Sequence, residues 1–138
     1  MLYVLDASAV LNDFLFSFTP GNEYLVTSGV MGEFKDLRSK QLAENALHNR
    51  LLKIAEPTDL FSKRAEELVK KHGFTLSKQD ISILALSMEL MEKDMKFEVL
   101  TDDYSLQNFL KLLKIPFSGV IHGKIKRVVS LKKAKKTR

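Results

Sequence analysis

The chain opens on four apolar positions, Leu2, Tyr3, Val4 and Leu5, and the run stops at a carboxylate, Asp6, followed by the small residues Ala7 and Ser8. An apolar run this short, without polar alternation, predicts a strand buried on both faces. Comparable runs recur at 24–27, 51–55, 97–101 and 117–121. Between them the apolar positions fall at helical spacing. Ser8 is placed to cap a short helix through Leu11 and Phe14, and Pro20-Gly21-Asn22 reads as a turn. Ser28 heads a turn of helix that holds Val30, Glu33 and Phe34. Residues 37–52 set Leu42, Ala46 and Leu47 among charges, the pattern of an amphipathic helix. Thr58 caps a helix to about residue 72, with Phe61, Ala65, Leu68 and Val69 as its stripe and Gly73 as its stop. Ser77-Lys78-Gln79-Asp80 has the Ser-x-x-acid form of a capping box, and Ile81, Leu84, Ala85, Met88 and Met91 continue that helix to about residue 93. A last helix over 104–114 turns Leu106, Phe109, Leu110 and Leu113 inward.

Strands alternating with helices predict an α/β fold, a doubly wound parallel sheet of order 3-2-1-4-5 with helices on both faces and the fifth strand at the edge. The expected division is a domain over 1–122 and a basic tail over 123–138. With 138 residues and no cysteine, the chain buries a core without disulfides and has no cysteine zinc site. No apolar run reaches membrane-spanning length and no basic-then-apolar leader opens the chain, so no membrane is expected and a cytoplasmic setting is. The net charge of +5 is unevenly spread. Residues 1–103 hold 12 basic and 17 acidic side chains, whereas residues 104–138 hold 10 basic and none acidic. A basic tail on an acidic body favours a polyanion such as RNA, although solubility alone also accounts for it.

The first and fourth strands both end in acid, at Asp6 and at Asp102-Asp103. In the expected order they are neighbours, and their tips flank the switch point where wound sheets open a crevice. Glu33 follows the second strand at the same rim, and Asp80 starts the helix that leads into the fourth. Each acid has a plainer reading: Asp80 as part of a capping box, Asp103 as an N-cap, Glu33 as a solvated first-turn acid. Asp6 has no such capping duty. Gathered carboxylates repel one another unless a cation neutralises them. A set of oxygen ligands without His or Cys suits Mg2+ or Mn2+, and that chemistry is metal-assisted phosphoryl transfer with water as nucleophile. Ser8 and Thr101 stand beside the acids, either to orient water or phosphate or to make local backbone bonds. His48, His72 and His122 have no ligand spacing.

Val4-Leu5-Asp6-Ala7-Ser8, Glu33, the stretch Asp80-Ile81-Ser82-Ile83-Leu84-Ala85-Leu86 and Leu100-Thr101-Asp102-Asp103 together resemble the PIN-domain family of metal-dependent ribonucleases, up to about residue 121. The resemblance implies a PIN-like fold, with Asp6, Glu33, Asp80 and Asp103 as catalytic metal-binding acids and Asp102 as a further ligand. It also implies hydrolysis of single-stranded RNA to a 5′-phosphate and a 3′-hydroxyl. The run from Thr101 to Asn108 is similar to the Nob-type endonuclease that trims small-subunit ribosomal RNA in a ribosomal precursor. That subgroup usually carries a zinc ribbon, for which this chain has no cysteines. Lys124, Lys126, Arg127, Lys132 and Lys133 would then contact RNA, with Lys78 or Arg38 helping at the rim. The alternatives are a VapC-type toxin, which implies an antitoxin partner and a homodimer, and a catalytically silent RNA-binding module. A phospho-acceptor receiver domain fits less well, because it sets its acidic pair after the first strand, not the fourth.

Overall fold

The structure is a computed structural model, and residues 1–127 are described; Lys132 and Lys133 lie outside them. The apolar run at the start forms β1 (Leu2–Leu5) in the middle of the sheet, where Val4 and Leu5 have no solvent exposure. Around it stand β2 (Glu23–Val26), β3 (Leu52–Ile54), β4 (Glu98–Leu100), β5 (Phe117–Ile121) and β6 (Lys124–Arg127). The sheet order is β3-β2-β1-β4-β5-β6. The first five strands run parallel, as the alternation of strand and helix requires, and β6 is antiparallel to β5. In the β1–β4 register Leu5 stands opposite Leu100, and the Asp6 N–H donates to Leu100 O at 2.9 Å. This pairing brings the acid ends of two strands side by side.

The helices are α1 (Ala7–Leu11), α2 (Ser28–Met31), α3 (Leu37–His48), α4 (Asp59–Lys71), α5 (Lys78–Glu92) and α6 (Tyr104–Leu112). Ile83, Leu84, Ala85, Leu86 and Ser87 of α5 are five consecutive buried residues, so this helix is enclosed on most sides, with α4 packed against it. A helix held so tightly gives Asp80, in its first turn, a fixed position. Among the described residues no helix is long and apolar enough to cross a membrane.

The structure departs from the sequence pattern in three places. The helix after β1 has Asp6 rather than Ser8 at its N-cap position, and it ends at Leu11 rather than running through Phe14, which is 83% exposed. Asp13 explains the stop: its carboxylate accepts the Leu15 N–H at 2.9 Å and the Gly123 N–H at 3.0 Å. The Leu15 bond is local and competes with the helix for that amide, and the Gly123 bond holds the Asp13 side chain in place. Next, the cap of α2 is Thr27 rather than Ser28; its hydroxyl accepts the Val30 N–H at 3.3 Å. Finally, the sheet does not end at β5 and the tail does not begin at 123. His122 at φ 51° and Gly123 at φ 77° make a two-residue turn with both centres left-handed, the hairpin geometry that matches strand twist. Beyond it Ile125 packs on the core while Lys124 and Lys126 stay exposed. Lysines on an outermost strand discourage further strand pairing.

Candidate metal centre

Asp6 follows β1 directly, and its side chain is buried, 4% exposed. Two hydroxyls hold it. Ser8 Oγ donates to Asp6 Oδ2 at 2.6 Å, and Thr101 Oγ1 donates to the same oxygen at 2.7 Å. Each hydroxyl in turn accepts a backbone amide: Ser8 Oγ that of Asp102 at 2.9 Å, Thr101 Oγ1 that of Asp103 at 3.0 Å. A hydroxyl has one proton to give. Both protons go to Asp6, so the 3.3 Å separation of Ser8 Oγ and Thr101 Oγ1 is a contact, not a bond. The loop after β4 is thereby pinned to Asp6 through two hydroxyls. Burial pushes the Asp6 carboxyl above its ordinary value, the Ser8 and Thr101 hydrogen bonds pull it down, and Asp103 pushes it up again.

Asp80 donates its backbone N–H to Ser77 Oγ at 3.1 Å, so the expected cap of α5 forms. Its carboxyl is pushed up to about 6, first by burial and then by Asp6 and Asp103, against the pull of Ser77. Asp103 caps α6, its Oδ1 accepting the N–H groups of Ser105 at 2.9 Å and Leu106 at 3.3 Å. The capping and site readings of Asp80 and Asp103 are therefore compatible. One carboxylate oxygen from each of Asp6, Asp80 and Asp103 lies within 4.8 Å of the other two. Among the described residues no Lys or Arg makes an ion pair with this group; the ion pairs are Arg64–Glu92 and Lys93–Glu89. Three hard oxygen donors that close, without a protein counter-charge, fit a divalent cation such as Mg2+ or Mn2+.

The other two acids are placed differently. Glu33 stands outside the close group, although Asp6 is near enough to raise its carboxyl, after burial and against the pull of Lys35. It lines a cavity of about 450 Å³ next to Gly29, Gly32, Lys35 and Gln79. Asp102 turns away: its Oδ1 accepts the Val120 N–H at 2.9 Å and lies against Gly119, where a Cβ would come within 2.8 Å of it. The structure does not bring Asp102 into the three-carboxylate group; it ties the loop after β4 to β5.

Arg38 is committed elsewhere. Its guanidinium donates to Val10 O at 2.6 Å and sits over the Phe14 ring at 5.0 Å, so it braces the segment after α1. Lys78 is exposed at the start of α5, two residues before Asp80. Two supporting residues escaped the sequence pattern. The Ser82 hydroxyl donates to Gln79 O at 2.6 Å, so its 2.8 Å bond to Thr27 takes the Thr27 proton. This bond joins α2 to α5 and fixes Glu33's segment relative to Asp80. A threonine directly before the expected cap was the signal available.

A family model described as the PIN domain of ribonuclease matches residues 3–90, a span that holds Asp6, Glu33 and Asp80. The chain is similar to an endoribonuclease Nob1 of Methanothermobacter thermautotrophicus, 36% identical over 132 residues, covering 94% of this chain and 75% of that protein. It is also similar to a ribonuclease VapC1 of Thermoplasma acidophilum, 30% identical over 130 residues, covering 93% of this chain and 61% of that one. Among solved structures, VapBC-1 of nontypeable Haemophilus influenzae matches with a TM-score of 0.56 at 12% identity, over 85% of this chain and 96% of that chain, a likeness of fold.

Proposed function

The chain belongs to the PIN-domain family of ribonucleases, and from that premise we propose that it is an endoribonuclease dependent on Mg2+ or Mn2+. The observation that carries this reading is the meeting of Asp6, Asp80 and Asp103, from three separate segments, within 4.8 Å. These three would hold the cation. When bound, such an ion offsets phosphate charge and supplies an acidified water as nucleophile. The protein's own part is orientation. Ser8 and Thr101 fix the Asp6 carboxylate, and Glu33, whose carboxyl burial and Asp6 raise, would take up a proton during the reaction. Lys124 and Lys126, exposed on β6, are the proposed contacts to the RNA backbone, together with Arg127, Lys132 and Lys133.

The proposed role is maturation of ribosomal RNA in the cytoplasm, supported by the similarity to an endoribonuclease Nob1 over 94% of the chain. The test is incubation with a single-stranded precursor of the small-subunit ribosomal RNA 3′ end and Mn2+, beside an Asp6→Asn control. Cutting at one defined position by the parent protein alone is the expected result. Equal survival of RNA in both tubes would leave a silent RNA-binding module. The similarity to a VapC1 ribonuclease favours one second reading, a toxin that pairs with an antitoxin. Cutting of unrelated RNAs with equal ease, together with a small protein that co-purifies and blocks it, would point there.

A further inference from the structure

The cavity beside Glu33 is lined by Leu11, Ser28, Gly29, Gly32, Lys35 and Gln79. Of the six glycines in the chain, Gly21, Gly73 and Gly123 have positive φ and Gly119 lies hard against the Asp102 carboxylate. Gly29 and Gly32 have neither reason. Gly32 is at φ −68°, and a Cβ on either residue would meet nothing closer than 3.5 Å. In a helical segment alanine is favoured over glycine, which loses more backbone freedom on folding. That preference applies to Gly29, inside α2, where the fold gives no cause for a bare position; Gly32 is the C-cap of that helix. What an alanine at either position would change is the cavity lining, to which it would add a methyl group. Beside Gly29, where a Cβ would stand 3.5 Å from the Gln79 stem, the Gln79 side-chain amide makes no hydrogen bond among the described residues.

We propose that this cavity is a nucleotide subsite, taking one nucleotide that flanks the scissile phosphate of single-stranded RNA. The base lies flat against the bare backbone at Gly29 and Gly32, with Leu11, 38% exposed, as the apolar wall. The Gln79 amide offers one donor set and one acceptor to the base edge, the means by which proteins read unpaired bases. Lys35 supplies a cation for the adjoining phosphate. The inference rests on the reading of the carboxylate group as an RNA-cutting centre.

The test uses the full chain with Mg2+ and a single-stranded RNA octamer of mixed sequence. Gly29→Ala and Gly32→Ala are expected to melt no lower than the parent, to bind metal as it does, and to raise KM at least tenfold with kcat little changed. Gln79→Leu is expected to flatten the base preference at one position next to the cut. In amide NMR spectra the octamer should shift the Gly29 and Gly32 signals of the parent. An octamer that shifts those signals without being cut would defeat the nuclease reading and leave the cavity as a site that binds RNA without a cut beside it. Cutting with an unaltered KM in both alanine variants, or glycine signals that stay still, would overturn the subsite and leave the nuclease reading standing.

Discussion

Thr101 Oγ1 donates a 2.7 Å hydrogen bond to Asp6 Oδ2 and accepts the Asp103 N–H at 3.0 Å. One fully buried hydroxyl therefore orients one carboxylate of the site and anchors the backbone of another. Replacing Thr101 with valine keeps the shape and removes both bonds. Leaving the part-buried Asp103 amide unsatisfied costs about 1–3 kcal/mol in stability, while Asp6 Oδ2 keeps only the Ser8 bond. Urea denaturation should show that loss, and calorimetry should show weaker Mn2+ binding. Thr101→Ser should restore most of both. Undiminished metal binding in the valine variant would deny Thr101 its positioning role.

Asp80 titrates with a carboxyl pushed up to about 6 from an ordinary value of 3.8. A pKa raised by folding means that the protonated form is the one the fold favours. Stability from this group is complete below the unfolded value and is lost as pH rises through about 6. The metal-free protein should therefore lose melting temperature between about pH 4 and 6 more steeply than Asp80→Asn does. Mn2+ should recover the loss above about pH 6, where the carboxylate is ionised, and RNA cutting should rise over the same range. Parallel melting curves for the two metal-free proteins would contradict this.

Asp102 and Asp103 are adjacent acids with separate duties. Asp103→Asn should reduce cutting more than about 100-fold, the upper range for disturbing a metal's surroundings. Asp102→Asn keeps an acceptor for the Val120 N–H and should cut within a few-fold of the parent. Comparison of the two under single-turnover conditions decides the matter; equal, severe losses would return Asp102 to the ligand set.

Lys124 and Lys126 are exposed residues of the same edge strand. Changing both to glutamine should weaken RNA binding without altering the cutting position. Each RNA phosphate that a lysine no longer neutralises should reduce the slope of log affinity against log salt by about 1. Filter binding across a salt series measures it, and an unchanged slope would place the RNA path elsewhere.

Gly123 holds the β5–β6 turn at φ 77°, and a Cβ there would run into the Leu15 backbone. Gly123→Ala should cost about 1–3 kcal/mol, the usual scale of backbone strain. Thermal melting gives the value. A variant as stable as the parent would mean that the turn has another conformation open to it.

Much of the site was legible because its signals are local. An apolar run that ends in Asp6, a Ser-x-x-Asp start at Ser77 and a Thr101-x-Asp103 end to another strand each lie within a few residues. What escaped depends on pairing. Neighbouring residues on extended backbone point to opposite sides, so nothing in Asp102-Asp103 tells which faces the crevice until β5 supplies the Val120 amide. The β6 strand escaped because His122-Gly123 lacks the usual Asn-Gly or Asp-Gly signal, and because Lys124, Lys126 and Arg127 read as solvated charge.

The order of amino acids by itself determined the parallel sheet, the acidic strand tips and the starts of α4 and α5, since backbone preference and apolar spacing act over a few residues. Only the tertiary structure decided that Asp6, Asp80 and Asp103 converge, that Glu33 stands beside a cavity and that Asp102 faces β5. Those separations are set by the register of β1 on β4 and the packing of α5, which join parts of the chain up to about a hundred residues apart.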